Sequence, residues 1–201
     1  MLKDPISLQI ELTEGVAYIQ YRESEDDETL SNEHIADSEN LLIERNSNGD
    51  IIGMDFLAID DATLSAASWF ALSNGLWFRE HQATFLRQTF LESRPGRTMR
   101  HNDVLLTEPV SISIELVDAL AYIAYRELTT DEIVYTEQAE HCSDLMVDRN
   151  RGRHITGIEF LDLDDDTIDA AVWYAAPNGL LLSQRLSDFL RTTFRETISR
   201  H

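Results

Sequence analysis

The sequence predicts an α+β fold of two homologous units, each a four-stranded antiparallel sheet followed by two helices packed on one face. Three observations predict it: the chain repeats itself, each copy begins with alternating apolar and polar residues, and each copy ends in segments with helical periodicity. Because fusion of the two subunits of a dimer preserves their symmetry, we expect the units to form a pseudo-two-fold pair.

The repeat is clearest when the chain is shifted by about 104 residues against itself. About 88 positions then align without a gap, and roughly 40% of them are identical. "GVAYIQYRE" falls on "ALAYIAYRE", and "ASWFALSNGL" falls on "AVWYAAPNGL". We therefore predict a first repeat unit over residues 1–93, a linker over 94–104 with Pro95 and Gly96, and a second repeat unit over 105–201.

The first part of each unit is predicted to form the sheet. Residues 6–12 alternate apolar and polar side chains, and the β-forming run "VAYIQYR" follows a tight turn. A second hairpin, "NLLIERN" and "IIGMDFLAI", is joined through Asn48-Gly49, a strong turn signal; the second copy has "RGRH" there, so we expect its turn to differ. Gly53 inside the last strand predicts a bulge or the close approach of another backbone.

The segment between the two hairpins, residues 23–38, is polar and acidic and is predicted to be a surface loop. In the second copy the corresponding segment is less charged, and its "IVYTEQA" is compatible with a short edge strand.

The rest of each unit is predicted to be helical. "DDATLSAASWFALSNG" offers Asp61 or Thr63 as an N-cap and Asn74-Gly75 as a C-terminal stop. "LLLSQRLSDFLRTTFRE" places five apolar residues on one helical face: Leu182, Leu186, Phe189, Leu190 and Phe194.

The charge of the chain limits its partners. Its 201 residues include 37 acidic and 16 basic residues, which gives a formal net charge of -21. Such a surface repels nucleic acids and anionic membranes, and it favours basic proteins, divalent cations or simple solubility. The chain has no apolar run of the ~18 residues that a membrane span needs, and we expect its alternating first residues to form a strand instead of a signal peptide. With a single cysteine, Cys142, it is predicted to be cytoplasmic.

Two stretches in each unit resemble a known family. The early strand "DALAYIAYR" and the hairpin "MVDRNRGRHITGIEFLDL", with their counterparts "EGVAYIQYR" and "LIERNSNGDIIGMDFLAI", resemble the bacterial family called domain of unknown function twenty-two eighty-three. The resemblance covers about 55 to 60 residues of each unit. It implies a small β-rich fold and no particular activity. Members often occur in a two-gene cassette beside a toxin-like neighbour, which by analogy implies an antitoxin-like role.

The segment "DLDDDTID" contains the weak metal-site candidates Asp162, Asp164 and Asp166, spaced as in a calcium loop. The glycine and the distal glutamate of such a loop are missing, and the first copy keeps only one of the three aspartates. The favoured interpretation is an acidic helix start, stabilised by the helix dipole.

Carboxylates recur on adjacent predicted strands. Glu44 and Asp55 of the first unit correspond to Asp148 and Glu159 of the second. On one face they could act as acid and base or bind a metal, but paired strands ordinarily bear polar residues on their wet face. We expect Arg45 and its counterpart to neutralise them, and we favour a structural role.

No other catalytic pattern is found in the sequence. The six histidines have no metal-ligand spacing, and there is no Ser-His-Asp order, phosphate loop or nucleophile elbow. We therefore predict that the protein is not an enzyme and uses no cofactor.

Four aromatic pairs are shared by the units and are predicted to lie mostly in the core, with some forming a patch that joins units or protomers: Trp69/Trp173, Phe70/Tyr174, Tyr18/Tyr122 and Tyr21/Tyr125.

These observations lead to a non-enzymatic, cytoplasmic binding protein, an antitoxin-like or immunity-like neutraliser of a basic protein. The predicted contact is the acidic loop with Glu23, Glu25, Asp26, Asp27 and Glu28. The alternatives are an acidic nucleic-acid mimic, a metal- or carboxylate-dependent enzyme, and a structural or oligomerisation module. We expect no direct nucleic-acid or membrane binding, and the sequence is compatible with a homo-oligomer.

Overall fold

A computed structural model describes residues 2–25, 28, 30–92, 100–101, 104–127, 129 and 134–198. The chain divides into two compact units, Met1–Pro95 and Gly96–His201. Most of the predicted linker lies outside the described residues. Within the described part of the chain, no helix is long and apolar enough to cross a membrane.

The described residues of the first unit form five strands and two α-helices. The strands are β1 (Ser7–Glu11), β2 (Val16–Gln20), β3 (Leu30–Ile35), β4 (Ser38–Asn46) and β5 (Ile51–Phe56). They pair antiparallel in the order β3-β4-β5-β2-β1. The helices are α1 (Asp61–Ser73) and α2 (Glu80–Arg87), and a short π-helical turn, Gln88–Glu92, continues α2.

The second unit begins with a short pair of strands, β6 (Arg100–His101) and β7 (Val104–Leu105). Five longer strands follow: β8 (Ser111–Glu115), β9 (Leu120–Ala124), β10 (Val134–Gln138), β11 (Leu145–Asn150) and β12 (Ile155–Phe160). They pair antiparallel in the order β10-β11-β12-β9-β8. The helices are α3 (Asp165–Ala175), with a 3₁₀ turn at its end, and α4 (Gln184–Ile198).

The antiparallel α+β architecture is confirmed, but the predicted fold class is wrong. Ten strands, five from each unit, pair in antiparallel sheet, where two four-stranded sheets were expected. The predicted pseudo-two-fold pair was built from four-stranded units and is wrong for the same reason. The additional strand of each unit is the edge strand, β3 or β10, which pairs with only one neighbour.

The edge strand β3 escapes the sequence pattern for a physical reason. Its residues, "LSNEHI", are exposed except for the half-buried Ile35, so they show no alternation of apolar and polar side chains. The strand is held by its backbone ladder with β4, in which Asn32 lies opposite Glu44. Backbone hydrogen bonds leave no trace in a hydrophobicity pattern, and β3 therefore reads as a loop.

The core of each unit lies on one face of its strands. In the first unit Leu8, Ile19, Ile43 and Met54 are at most 1% exposed, and neighbouring residues such as Tyr18, Glu44 and Asp55 project to the other face. Helix α1 packs on β4 and adds buried residues such as Leu64. At roughly 25 cal/mol for each Å² of apolar surface removed from water, this alternation decides which face the helix covers.

The helix boundaries differ slightly from those expected. Asp60, rather than Asp61 or Thr63, is the N-cap of α1, and its carboxylate accepts a hydrogen bond from the Thr63 amide at 2.7 Å. The predicted stop is confirmed, because α1 ends at Ser73 and Asn74 caps it. Helix α4 begins only at Gln184, yet four of its five predicted apolar positions are buried and the last is half-buried: Leu182, Leu186, Phe189, Leu190 and Phe194.

The turn between β4 and β5 has the same geometry as its counterpart, contrary to expectation. The Gly49 amide donates to the Asn46 carbonyl at 2.9 Å, and the Arg153 amide donates to the Asn150 carbonyl at 2.9 Å. Gly49 has a φ of 85° and Arg153 has a φ of 63°. The second unit therefore places an arginine in the left-handed conformation that the first unit gives to glycine.

The shared aromatic residues differ in burial. Tyr21, Phe70 and Tyr125 are buried, whereas Tyr18, Tyr122 and Tyr174 are half-buried. Trp69 on α1 is 64% exposed and Trp173 on α3 is 66% exposed. The prediction that most of the shared aromatic residues lie in the core is therefore wrong. Both indole rings lie on the outer side of their helices, and α1 has no charged residue from Ala62 to Ser73 that would mark its outer side in the sequence.

Candidate functional site

The strand face opposite the core bears the repeated carboxylates. In the first unit we define this polar face by Tyr18 on β2, Glu44 on β4 and Asp55 on β5. Glu44 lies opposite Gly53, while Asp55 lies opposite Leu42 on one side and Tyr18 on the other. Side chains two apart on a strand share a face, so both carboxylates lie on the same face as diagonal neighbours. They therefore meet the geometric condition, set from the sequence, that both carboxylates lie on one face of the strands.

A tyrosine and a glycine organise this face. The Tyr18 hydroxyl donates a hydrogen bond to Oε2 of Glu44 at 2.5 Å. To reach Glu44 the ring passes over Gly53, where an added Cβ would be 2.3 Å from the Tyr18 hydroxyl oxygen and 2.4 Å from Cζ. The predicted close approach at Gly53 is thus an approach of a side chain, and a bulge lies next to it in β4.

Burial and like charge both act on the ionisable groups of the polar face. Burial, followed by the nearby charge of Glu44, raises the pKa of the Asp55 carboxyl. Burial, the hydrogen bond to Glu44 and the charges of both carboxylates raise the pKa of the Tyr18 hydroxyl above its ordinary range. Tyr18 therefore remains a protonated donor, and the two carboxylates repel each other in its neighbourhood.

The second unit repeats the polar face with Tyr122, Asp148 and Glu159. The Tyr122 hydroxyl donates to Oδ2 of Asp148 at 2.9 Å, and its ring passes over Gly157. The Thr136 hydroxyl of β10 donates to Oδ1 of the same aspartate at 2.6 Å. Burial and the hydrogen bond to Asp148 raise the pKa of Tyr122 above its ordinary range. The acids have exchanged type between the units, while the tyrosine and the glycine are unchanged.

The arginines next to these carboxylates lie on the other face. Arg45 forms an ion pair with Glu33 at 2.6 Å, and its guanidinium lies 6.0 Å from the centre of the Phe70 ring. Arg45 lies beside Phe70 of α1 on the core side of the strands, whereas Glu44 accepts from Tyr18 on the polar face, so the two side chains project apart. The expectation that Arg45 neutralises the carboxylates is wrong.

Arg149 of the second unit behaves like Arg45. It forms an ion pair with Glu137 and donates to the hydroxyl of Tyr174 at 2.7 Å. Tyr174 occupies the position of Phe70, so both arginines are held against the helix side of their unit. Among the described residues, no ion pair joins a basic side chain to the four carboxylates of the two polar faces.

The structure describes three of the five acids in the predicted contact loop, and their surroundings differ. Glu23 and Glu25 are exposed, and Asp26 and Asp27 lie outside the described residues. The Glu28 carboxylate, with a side chain only 10% exposed, accepts hydrogen bonds from Arg22 at 3.0 Å and from the Asn46 amide at 2.6 Å. Burial alone would raise the pKa of Glu28, but these hydrogen bonds lower it. Glu28 thus holds the loop to the strands.

The aspartates of "DLDDDTID" are separated by their roles. The Asp164 carboxylate caps α3 and accepts from the Thr167 amide at 2.6 Å. Asp162 and Asp166 are exposed before and after it. In the described part of the chain, no group of three His, Cys, Asp or Glu side chains could hold a metal ion. The arrangement matches the helix start favoured from the sequence.

The sequence pointed to the polar-face carboxylates but not to the tyrosines that organise them. A signal for the tyrosines exists, because Tyr18 precedes Gly53 by the same interval as Tyr122 precedes Gly157.

Comparisons of the chain with protein-family models, with curated proteins and with solved structures found no match. The resemblance to the domain of unknown function twenty-two eighty-three therefore stays a prediction.

Proposed function

We propose that the protein is a non-enzymatic, cytoplasmic binding protein that captures a basic protein, in an antitoxin-like or immunity-like role, through the polar faces of its units. The observation that supports this is the distribution of charge. Arg45, Arg87, Arg149 and Arg191 each pair with acids outside the polar faces. Among the described residues, Glu44 and Asp148 instead accept hydrogen bonds from hydroxyl groups, and none of the four polar-face carboxylates forms an ion pair.

The carboxylates of the polar faces can accept hydrogen bonds from the side chains of a basic partner. Lysine and arginine donate charge-assisted hydrogen bonds, which are about twice as strong as neutral ones. A basic side chain placed between Glu44 and Asp55 would also relieve their mutual repulsion, which adds to burial in raising the pKa of Asp55. Part of the binding energy is therefore stored on the free protein as repulsion between like charges.

The net charge of the whole chain adds speed to such a capture. A charge of -21 attracts a basic protein over distances of about a Debye length, ~10 Å at 0.1 M salt. The exposed carboxylates of Glu23 and Glu25 in the loop contribute to this attraction. Binding should then be fast and should weaken as the salt concentration rises.

The proposal is tested by affinity capture from a lysate of the cells that produce the protein. The immobilised full chain is expected to retain a basic protein at low salt and to release it as salt increases. A polar-face variant, Glu44→Gln, Asp55→Asn, Asp148→Asn and Glu159→Gln, is expected to lose that protein. A loop variant, Glu23→Gln and Glu25→Gln, is expected to retain most of it.

Two outcomes would contradict the proposal. One is that the wild-type chain retains no basic protein at low salt. The other is that the polar-face variant retains the same protein as the wild type, which would place the contact elsewhere. Release of the captured protein by added DNA would instead support the nucleic-acid mimic, since DNA then competes for the same site.

A further inference from the structure

The outer face of α1 is a surface of a different character. Trp69 is 64% exposed and Leu72 is 63% exposed. They share one stripe of the helix with the exposed Ala62 and Ser65, because these four residues follow one another at intervals of three and four. From Ala62 to Ser73 the helix contains no charged residue. We call these four residues the α1 stripe.

We propose that the α1 stripe is the contact surface of a homodimer, in which it packs against the α1 stripe of a second copy of the chain. Two copies that each have a charge of -21 repel each other over most of their surface. They can approach closely only where that surface is uncharged. Asp61, which directly precedes the α1 stripe in the sequence, is paired with Arg87 at 2.7 Å and adds little to the repulsion.

The α1 stripe is also complementary to itself in size. Its first half bears the small residues Ala62 and Ser65, and its second half bears the large residues Trp69 and Leu72. In an antiparallel pair of helices related by a two-fold axis, the large half of each helix lies over the small half of the other. Small side chains let helices approach, and the large ones fill the space between them.

The corresponding stripe of the second unit lacks this complementarity. Helix α3 has Asp166, Asp169, Trp173 and Ala176 at the four positions. An antiparallel pair of α3 helices would place aspartates of one copy over the tryptophan of the other and would bury their charge. The proposal therefore involves α1 and not α3, although both helices expose a tryptophan.

The dimer is expected to be weak. A stable interface buries about 800 Å² on each partner, and a helix of 13 residues is only ~20 Å long. One pair of such helices covers less surface than that standard. We expect a reversible dimer whose population depends on the protein concentration, and which salt strengthens because it screens the repulsion between two acidic chains.

Sedimentation velocity of the full chain between about 1 μM and about 1 mM tests the proposal, since this range covers weak association. The wild type is expected to move from monomer to dimer, at lower concentration in high salt. Trp69→Ala and Ala62→Asp are each expected to raise the dimer dissociation constant at least about tenfold. Asp in the first turn of a helix is favoured by the dipole, so Ala62→Asp retains the fold.

The matched control is Trp173→Ala, which removes an equally exposed tryptophan from the corresponding helix and is expected to leave the dissociation constant unchanged. The proposal is overturned if the wild type stays monomeric over the whole range in high salt. It is also overturned if neither α1 variant weakens the dimer, or if Trp173→Ala weakens it as much as Trp69→Ala does.

Discussion

At the scale of single residues, the contact between Tyr18 and Gly53 determines the shape of the polar face. The ring occupies the space in which any other residue would have its Cβ. The hydroxyl then reaches Glu44 across the intervening strand. Glycine is ordinarily a weak strand residue, and here a ring from the neighbouring strand covers the backbone that it exposes.

This contact predicts that the effect of Gly53→Ala on the free energy of unfolding depends on whether Tyr18 is present. Gly53→Ala in the wild type is expected to lower the free energy of unfolding by about 1 to 2 kcal/mol, because the ring must move and Glu44 loses its donor. In a Tyr18→Ala background the same change should be neutral or stabilising, since alanine suits a strand better than glycine. Urea denaturation of the four proteins measures the cycle, and an equal cost of Gly53→Ala in both backgrounds would refute the contact.

The second prediction at this scale concerns Asp55. Burial and the charge of Glu44 raise the pKa of Asp55 above its ordinary value in the folded protein, so the folded state holds this proton more tightly than the unfolded chain. The free energy of unfolding therefore falls as the pH rises through this raised pKa. Asp55→Asn is expected to stabilise the protein at pH 7 by less than about 1 kcal/mol, because Asp55 is only half-buried.

The stabilisation by Asp55→Asn should disappear below about pH 3, where the carboxyl is protonated in both states. Thermal unfolding at several pH values measures this. Asp37→Asn, a change in an exposed turn, controls for the loss of one negative charge from the whole chain. Stabilisation of equal size by both variants would show that Asp55 is not under local repulsion.

At the scale of elements, the repeat makes one unit a reference for the other. The turn after β4 requires a left-handed residue, and the first unit supplies Gly49. The turn after β11 has the same hydrogen bonds but places Arg153 in that conformation. A side chain with a Cβ pays about 1 to 2 kcal/mol for a left-handed backbone.

Arg153→Gly is therefore expected to stabilise the protein by about 0.5 to 1 kcal/mol, after the greater flexibility of glycine in the unfolded chain is deducted. The reverse change, Gly49→Arg, should destabilise it by a similar amount. Denaturant titrations of both variants provide the measurement. Destabilisation by Arg153→Gly would mean that the arginine makes contacts that outweigh its backbone strain.

The elements differ in how far the sequence could predict them. Strands with one buried face, such as β1, follow from alternation, and the stop of α1 follows from Asn74-Gly75. Strand β3 did not follow, because its exposed side chains have no pattern and only its backbone pairing defines it. The same holds for the site: the carboxylates follow from the repeat, whereas the Tyr18–Gly53 contact joins residues that are distant in the sequence.

At the scale of the whole molecule, charge separates the surfaces of the protein by role. Asp61 and Asp169 beside the helices are paired with arginines, and the α1 stripe is uncharged. In the described part of the chain, the carboxylates of the polar faces form no ion pair with a basic side chain. Salt is expected to act in opposite directions on the two proposed interactions. It weakens the capture of a basic protein and strengthens the contact between two acidic chains.

The most direct test of the proposed function is the affinity of the captured basic protein, measured by titration calorimetry at low and at moderate salt. The polar-face variant, Glu44→Gln, Asp55→Asn, Asp148→Asn and Glu159→Gln, is expected to bind at least about tenfold more weakly than the wild type and to depend less on salt. The loop variant, Glu23→Gln and Glu25→Gln, is expected to bind almost as tightly as the wild type. Equal affinities of the wild type and the polar-face variant would contradict the proposal.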